Sequence, residues 1–148
     1  MTSGVAVNDE CVKVLEEVRM HRKYRYVIFS LADNFKEIKI KKTGRRDADY
    51  QEFLEDMNDA MKERQCRYAI YDVDFLISDC DCQQNRSKII FILWSPDNAT
   101  VKQKMLYSSS KGALRLKLAG VGKELQATDE EELCWTALMD KCLERETY

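Results

Sequence analysis

The segment that most constrains the fold is an uninterrupted apolar run in the second half of the chain. Residues 88–94 read KIIFILW, and Pro96 follows shortly after them. A strand that is apolar on both faces needs cover on both sides, which is typical of a central strand in a sheet between helices. The run is far shorter than the roughly 20 residues that a membrane-spanning helix needs. The segment therefore predicts an α/β protein whose central sheet lies between helical layers.

Hydrophobic spacing along the rest of the chain predicts helices that alternate with further strands. Helices are expected over residues 8–20, 49–64, 99–118 and from Thr128 onward. Strands are expected over residues 24–31, 35–42, 66–77, 88–94 and 123–127, with a polar loop at 78–87. Thr128 and Glu131 resemble a capping box for the last helix, whose inward residues are expected to be Trp135, Leu138, Met139 and Cys142. The order predicts one mixed sheet of about five strands sandwiched by helices.

The size and cysteine content of the chain narrow its class. A chain of 148 residues is expected to form a single domain, 1–148, with a core of its own. The first residues lack the charged and apolar stretches of a secretory signal. The six cysteines are therefore expected to be reduced thiols in the cytosol. Their spacing and the single histidine, His21, argue against a metal site.

Catalytic motifs give an enzyme little support. The chain has no G-x-S-x-G, phosphate-loop or G-x-G-x-x-G motif. His21 is expected to end a helix, where a cation favours the helix dipole. Asp72 and Asp74 share one strand face and are read as exposed or hydrogen-bonded acids, because no basic partner or metal motif accompanies them. Thiol redox chemistry at Cys80 and Cys82 is a further alternative, although the neighbouring carboxylates disfavour a reactive thiolate.

The predicted helix over 99–118 is the most informative charged segment. No acidic residue lies between Asp97 and Glu124, whereas residues 124–148 carry eight acids and two bases. A basic helix with apolar residues favours docking into a groove on an acidic partner. An ordinary solvated helix face is the alternative. The net charge of −2 argues against a nucleic-acid partner.

The same segment carries a family resemblance. WSPDNATVKQKMLYSSSKGAL, at 94–114, resembles the signature stretch of the actin-depolymerising factor/cofilin family, and DECVKVLEEV, YRYVIFSL, CRYAIYDVDF and ELQATD fit that family in the same order. The resemblance implies a single ADF-homology domain without enzymatic activity or cofactor. It implies binding to actin monomers, with the ADP form preferred, and to filament sides, with severing and depolymerisation. The implied location is the cytoplasm and the actin cytoskeleton. The nucleus is a further location that the resemblance leaves open.

The resemblance also implies two actin-contacting surfaces. Positions matching the surface for monomers and filaments are Ser3, Gly4, Lys102, Lys104, Met105, Lys111, Arg115, Asp129 and Glu132. Positions matching the filament-only surface are Arg86, Lys88, Glu144 and Arg145. Met105 is expected to enter an apolar cleft of actin while the cations around it face carboxylates. Two positions depart from the family: Gly112, where an acid is common, and Leu116, where a second cation is common.

The resemblance further implies two kinds of regulation. Ser3 matches an inhibitory phosphorylation site, at which a phosphate would add negative charge facing acidic actin. Phosphoinositide binding is implied for Lys102, Lys104, Lys111, Arg115 and Lys117. Two other functions fit the same residues: a filament-side binder without severing activity, as in coactosin-like relatives, and a phosphoinositide-responsive adaptor. A monomer without a transmembrane segment is expected.

Overall fold

The computed structural model of the protein describes residues 4–79 and 82–143. Its elements are β1 (Ala6–Val7), α1 (Asp9–Met20), β2 (Tyr24–Leu31), β3 (Glu37–Arg45), α2 (Tyr50–Lys62), β4 (Arg67–Asp79), β5 (Cys82–Trp94), α3 (Val101–Lys117), β6 (Lys123–Ala127) and α4 (Trp135–Leu143). The strands form one sheet in the order β1-β3-β2-β4-β5-β6. The pairs β1–β3 and β5–β6 are parallel, and the other neighbours are antiparallel.

This arrangement confirms the predicted fold class. The described part of the chain has six strands rather than about five, because β1 contains only two residues and is too short to show an alternating pattern. Helices α1 and α3 pack on one face of the sheet, and α2 and α4 pack on the other. The central strand predicted from the apolar run is buried from Ile90 to Trp94, in the interior of the sheet.

Polar side chains cap the starts of three helices. Asn8, Asp49 and Thr100 accept backbone hydrogen bonds at the starts of α1, α2 and α3, at 2.9, 2.9 and 3.2 Å. Each cap satisfies an amide that has no partner within its helix. The predicted bounds of α1 and α2 are accordingly close to the observed ones.

The predicted start of α4 is wrong. The backbone N–H of Thr128 donates to Glu132 at 3.0 Å, and that of Glu132 donates to Asp129 at 2.8 Å. These bonds close a turn before α4, which begins only at Trp135, so a capping box with Glu131 does not form. Trp135 is exposed rather than inward, because it stands at the start of this shorter helix beside Tyr50.

The polar loop predicted over 78–87 is also wrong. Strand β4 pairs with β2 only from Tyr68 to Tyr71, and β5 pairs with β6 only from Ile90 to Trp94. Beyond these limits, residues 72–79 and 82–89 pair with each other and form a two-stranded ribbon, the name used for them below. Residues 83–87 are exposed, so their sequence lacks the apolar alternation that reveals a half-buried strand.

Candidate functional site

The outer face of α3 carries an apolar stripe, defined here as Val101, Met105, Gly112 and Leu116. Helical geometry places these four positions on one side, and the side chains of Val101, Met105 and Leu116 are 73%, 66% and 84% exposed. A Cβ on Gly112 would have no neighbour within 4 Å. The opposite side of α3 is buried against the sheet. Exposed apolar side chains that share one helix face are typical of a surface for a protein partner.

Two cations flank the N-terminal half of this stripe. The Nζ of Lys102 lies 4.5 Å from the ring centroid of Phe35. The Nζ of Lys104 donates a 2.8 Å hydrogen bond to the carbonyl of Asp97. Both ammonium groups are therefore held beside the stripe, where their charge is available to an acidic partner.

Two further cations near the C-terminal half are held by β6. Lys111 forms a 3.0 Å ion pair with Glu124, and Arg115 lies 3.7 Å from the same carboxylate. Burial works to raise the pKa of Glu124, but hydrogen bonds from Gln126 and Lys111 and the charges of Lys111 and Arg115 outweigh it and hold that pKa below its ordinary value. Because the carboxylate of Glu124 neutralises Lys111, the positive charge of Arg115 is left over among these three side chains.

The chain's first described residues lie beside α3. Strand β1 contacts α3, and it is fixed to β3 by a 2.9 Å hydrogen bond from Ala6 N–H to the carbonyl of Lys36. Gly4 precedes β1 and is exposed, with a φ of +76° that favours glycine. Ser3, predicted to be a contact and phosphorylation residue, lies outside the described residues.

The turn before α4 reaches the start of α3 through one short segment. The backbone N–H of Asp97 donates to the carbonyl of Thr128 at 3.0 Å, and the carbonyl of Asp97 accepts from Lys104. Asp129 directly follows Thr128 in this turn, and Glu132 accepts from Thr128. Their carboxylates accept hydrogen bonds inside the turn, so they shape it.

The basic pair implied for filaments lies elsewhere in the fold. Arg86 and Lys88 alternate along β5 and share one face of the ribbon. The Nζ of Lys88 donates at 2.9 Å to the carbonyl of Cys142 in α4, on the sheet face opposite α3. Arg86 donates to Gln84 at 3.1 Å. Glu144 and Arg145, the other two predicted residues, lie outside the described residues.

Comparison with known proteins decides the family. The model of the cofilin/tropomyosin-type actin-binding proteins matches residues 4–143. The chain belongs to this family. The cofilin of Ogataea parapolymorpha is 41% identical over 139 residues, which cover 94% of this chain and 92% of that one. Actin-depolymerizing factor 3 of Zea mays is 43% identical over 139 residues, covering 94% of this chain and 95% of its own.

A solved structure agrees with this assignment. The crystal structure of Streptomyces griseoflavus cofilin aligns with a TM-score of 0.82 at 36% identity, over 95% of this chain and 98% of that one. The resemblance drawn from the sequence is confirmed, and so is the fold that it implied. The individual contact residues of this cofilin-family chain remain predictions.

Sequence reasoning missed an arginine cluster in this cofilin-family protein, defined as Arg22, Arg25 and Arg46 around Asp72 and Asp74. Arg46 pairs with Asp72 at 2.7 Å, and Asp74 receives Arg22, Arg25 and Arg46 at 2.5, 3.0 and 3.1 Å. Both acids are hydrogen-bonded, one of the two roles expected for them. Their basic partners come from residues 22–25 and from Arg46, both distant in sequence from the two acids, so no local motif reveals the cluster.

Three buried thiols of the described residues are poorly suited to nucleophilic chemistry. Burial raises the pKa of Cys11 to about 11 and also raises the pKa of Cys66 and Cys142, which disfavours their reactive thiolates. Cys80 and the side chain of Cys82 lie outside the described residues. Within residues 4–79 and 82–143, no group of His, Cys, Asp and Glu could hold a metal ion, and no helix is long and apolar enough to cross a membrane.

Proposed function

We propose that this protein binds actin monomers and the sides of actin filaments through α3, and that it severs and depolymerises filaments. The observation that supports this most directly is the apolar stripe on α3, exposed on a chain of an actin-binding family. Met105 serves as the anchor in an apolar cleft, while Lys102 and Lys104 face actin carboxylates. This is recognition of a helix in a groove, with a charged rim.

The monomer-binding surface also includes residues on both sides of α3. Ser3 and Gly4 contact actin from one side, and Lys111 and Arg115 extend the contact along the helix. Asp129 and Glu132 act by holding the turn in place, since their carboxylates are engaged within it. The close placement of β1, α3 and the Asp97 segment supports this grouping.

A second surface operates on filaments alone. Arg86 and Lys88 contact the neighbouring subunit of the filament, together with Glu144 and Arg145. Because the first pair lies on the face of α4 rather than that of α3, the two surfaces are able to contact two subunits at once. The protein binds the twisted, ADP-bound state of the filament more tightly than the other states. Binding therefore increases the population of the twisted state and promotes breakage of the filament.

Two anionic signals oppose this binding. Phosphate on Ser3 places negative charge against acidic actin. Phosphoinositides compete through Lys102, Lys104, Lys111, Arg115 and Lys117. Of these, Lys102 and Lys117 are exposed, which favours them as headgroup contacts over Lys111 with its bound carboxylate. The protein acts as a monomeric single domain, 1–148, without catalysis, in the cytoplasm and, as a further proposal, in the nucleus.

Co-sedimentation with ADP-actin and ATP-actin filaments tests the proposal, with fluorescence microscopy of single filaments to detect severing. The protein is expected to pellet with ADP filaments and to cut them. Met105→Ala should weaken monomer and filament binding, whereas Met20→Ala, at a methionine of α1 that is 71% exposed, should change neither. Decoration without cutting would favour the coactosin-like alternative. Binding to phosphoinositide vesicles without any actin binding would favour the adaptor.

A further inference from the structure

The ribbon carries Arg86, and no strand of residues 4–79 and 82–143 lies beside it to fix its direction. As strands, residues 72–79 and 82–89 pair only with each other in the described part of the chain, past the last pairs that β4 and β5 make with the rest of the sheet. An isolated two-stranded hairpin is at best marginally stable in water. The orientation of the ribbon therefore depends on contacts near its base, where Lys88 donates to the carbonyl of Cys142 in α4 on one face.

The arginine cluster lies at that base. Asp74 is the third residue of the ribbon on β4, and its carboxylate receives Arg22, which follows α1, Arg25 of β2, and Arg46, which follows β3. Burial works to raise the pKa of Asp74, but hydrogen bonds and charge from Arg25 and Arg22 outweigh it and lower that pKa. Asp74 is accordingly ionised at neutral pH and tied to three elements of the fold.

Arg22 is the member of the cluster that contacts both strands of the ribbon. Its Nη2 lies 2.5 Å from Asp74 Oδ1 on β4, and its Nη1 lies 3.5 Å from Ser87 Oγ on β5. Asp74 and Ser87 are directly opposite each other in the strand register. One guanidinium, whose planar fork has donors on two sides, thus bridges a cross-strand pair.

The backbone of Arg22 supports this reach. The residue has a φ of +50°, in the left-handed region that non-glycine residues seldom occupy. It lies just after the C-cap His21 of α1, so the chain reverses there and presents the guanidinium to the ribbon. Ser87 is followed by Lys88 and preceded by Arg86, the two cations assigned to the filament surface.

We propose that Arg22 and Asp74 are positioning residues for filament binding: by bridging both strands at the base of the ribbon, they hold Arg86 and Lys88 in the orientation that a filament subunit recognises. This inference rests on the proposed function. Neither residue touches actin in this role. Their effect is to remove the ordering cost that a swinging ribbon would incur on binding.

The proposal separates filament binding from monomer binding. The stripe on α3 lies outside the ribbon and makes none of the cluster's hydrogen bonds. Loosening the ribbon should therefore leave the monomer contacts in place. A general loss of stability would weaken both kinds of binding together, so the ratio of the two affinities distinguishes positioning from folding.

The test compares Arg22→Ala, Arg22→Lys and Asp74→Asn with the unchanged chain. Arg45→Ala is the matched control, because the exposed side chain of Arg45 forms its ion pair with exposed Asp47 at the same end of the sheet. Measurements are co-sedimentation with ADP filaments, affinity for ADP-actin monomers by fluorescence, and hydrogen exchange of the ribbon amides. Unfolding by urea verifies that each variant is folded.

For Arg22→Ala and Asp74→Asn we expect about tenfold weaker filament binding, monomer affinity within about twofold, and faster exchange in the ribbon. Arg22→Lys keeps the charge without the fork, so its filament affinity should fall between those of the alanine variant and the unchanged chain. If one variant fails to fold, the remaining folded variants test the inference. Filament binding equal to that of the unchanged chain, or equal losses on monomers and filaments, would overturn the inference. If the unchanged chain bound neither actin monomers nor filaments, the proposed function itself would be overturned.

Discussion

Lys111 and Glu124 form a 3.0 Å ion pair between α3 and β6, with only 26% and 25% of their side chains exposed. The pKa of Glu124 is held below its ordinary value of 4.5, so ionised Glu124 stabilises the fold. This contribution is fully present above pH 4.5 and is lost as the pH falls through the lower value of the folded state.

We therefore expect Glu124→Gln to cost about 1 kcal/mol of unfolding free energy at pH 7, and progressively less as the pH falls below the ordinary glutamate value. Urea unfolding of both proteins from pH 7 to pH 3 measures this difference. Glu130→Gln, at an exposed acid in the turn before α4, serves as the control and should show no such trend. A difference that grows toward acid pH would contradict the assignment.

Two glycines should respond to alanine in opposite directions. A Cβ on Gly44 would lie 2.2 Å from Cε1 of Tyr26, a buried ring whose hydroxyl donates to Asp56 at 2.6 Å. Gly44→Ala should therefore cost about 1–3 kcal/mol. Gly112 lies in the interior of α3 with open space around it, so Gly112→Ala should gain about 0.5–1 kcal/mol. Urea unfolding tests both, and a stabilised Gly44→Ala would refute the close contact.

Much of this fold was predictable from local patterns. The buried face of α1 recurs at helical spacing through Cys11, Val14, Leu15 and Val18, and the central strand is apolar on both faces. Caps such as Asn8 and Asp49 then fix where helices begin. These features depend on neighbours in sequence, which is why spacing alone indicates them.

The arginine cluster and the ribbon depend on distant neighbours instead. Nothing near Asp74 indicates that Arg22, 52 residues earlier, will meet it. The stripe on α3 is intermediate: its residues share a helix face by spacing, but the exposure of Leu116 emerges only once the sheet covers the opposite side. Leu114 and Leu118 are buried against the sheet, whereas Leu116 is exposed.

Arg86→Ala should separate the two proposed actin surfaces more cleanly than the double variant with Lys88. Lys88 donates to the carbonyl of Cys142 near the end of α4, so Lys88→Ala also removes a hydrogen bond worth about 1 kcal/mol of stability. Among the residues that the structure describes, the side chain of Arg86 donates only to Gln84, within its own exposed strand. We expect Arg86→Ala to weaken filament co-sedimentation while monomer affinity and unfolding free energy stay unchanged. Equal loss of monomer binding would contradict the two-surface assignment.

Leu116→Lys tests the proposed acidic partner of the stripe. Leu116 is 84% exposed and stands where relatives are expected to carry a cation, so a lysine there should leave the stability within about 0.5 kcal/mol. Facing actin carboxylates, the added charge should strengthen monomer binding by a few-fold at low salt and lose this advantage as salt screens it. Leu143→Lys adds the same charge on α4, away from α3, and should have no effect on monomers. Titration of labelled actin monomers at two salt concentrations measures the difference. If Leu116→Lys bound monomers more weakly than the unchanged chain at both salt concentrations, this end of the stripe would make an apolar contact with actin instead.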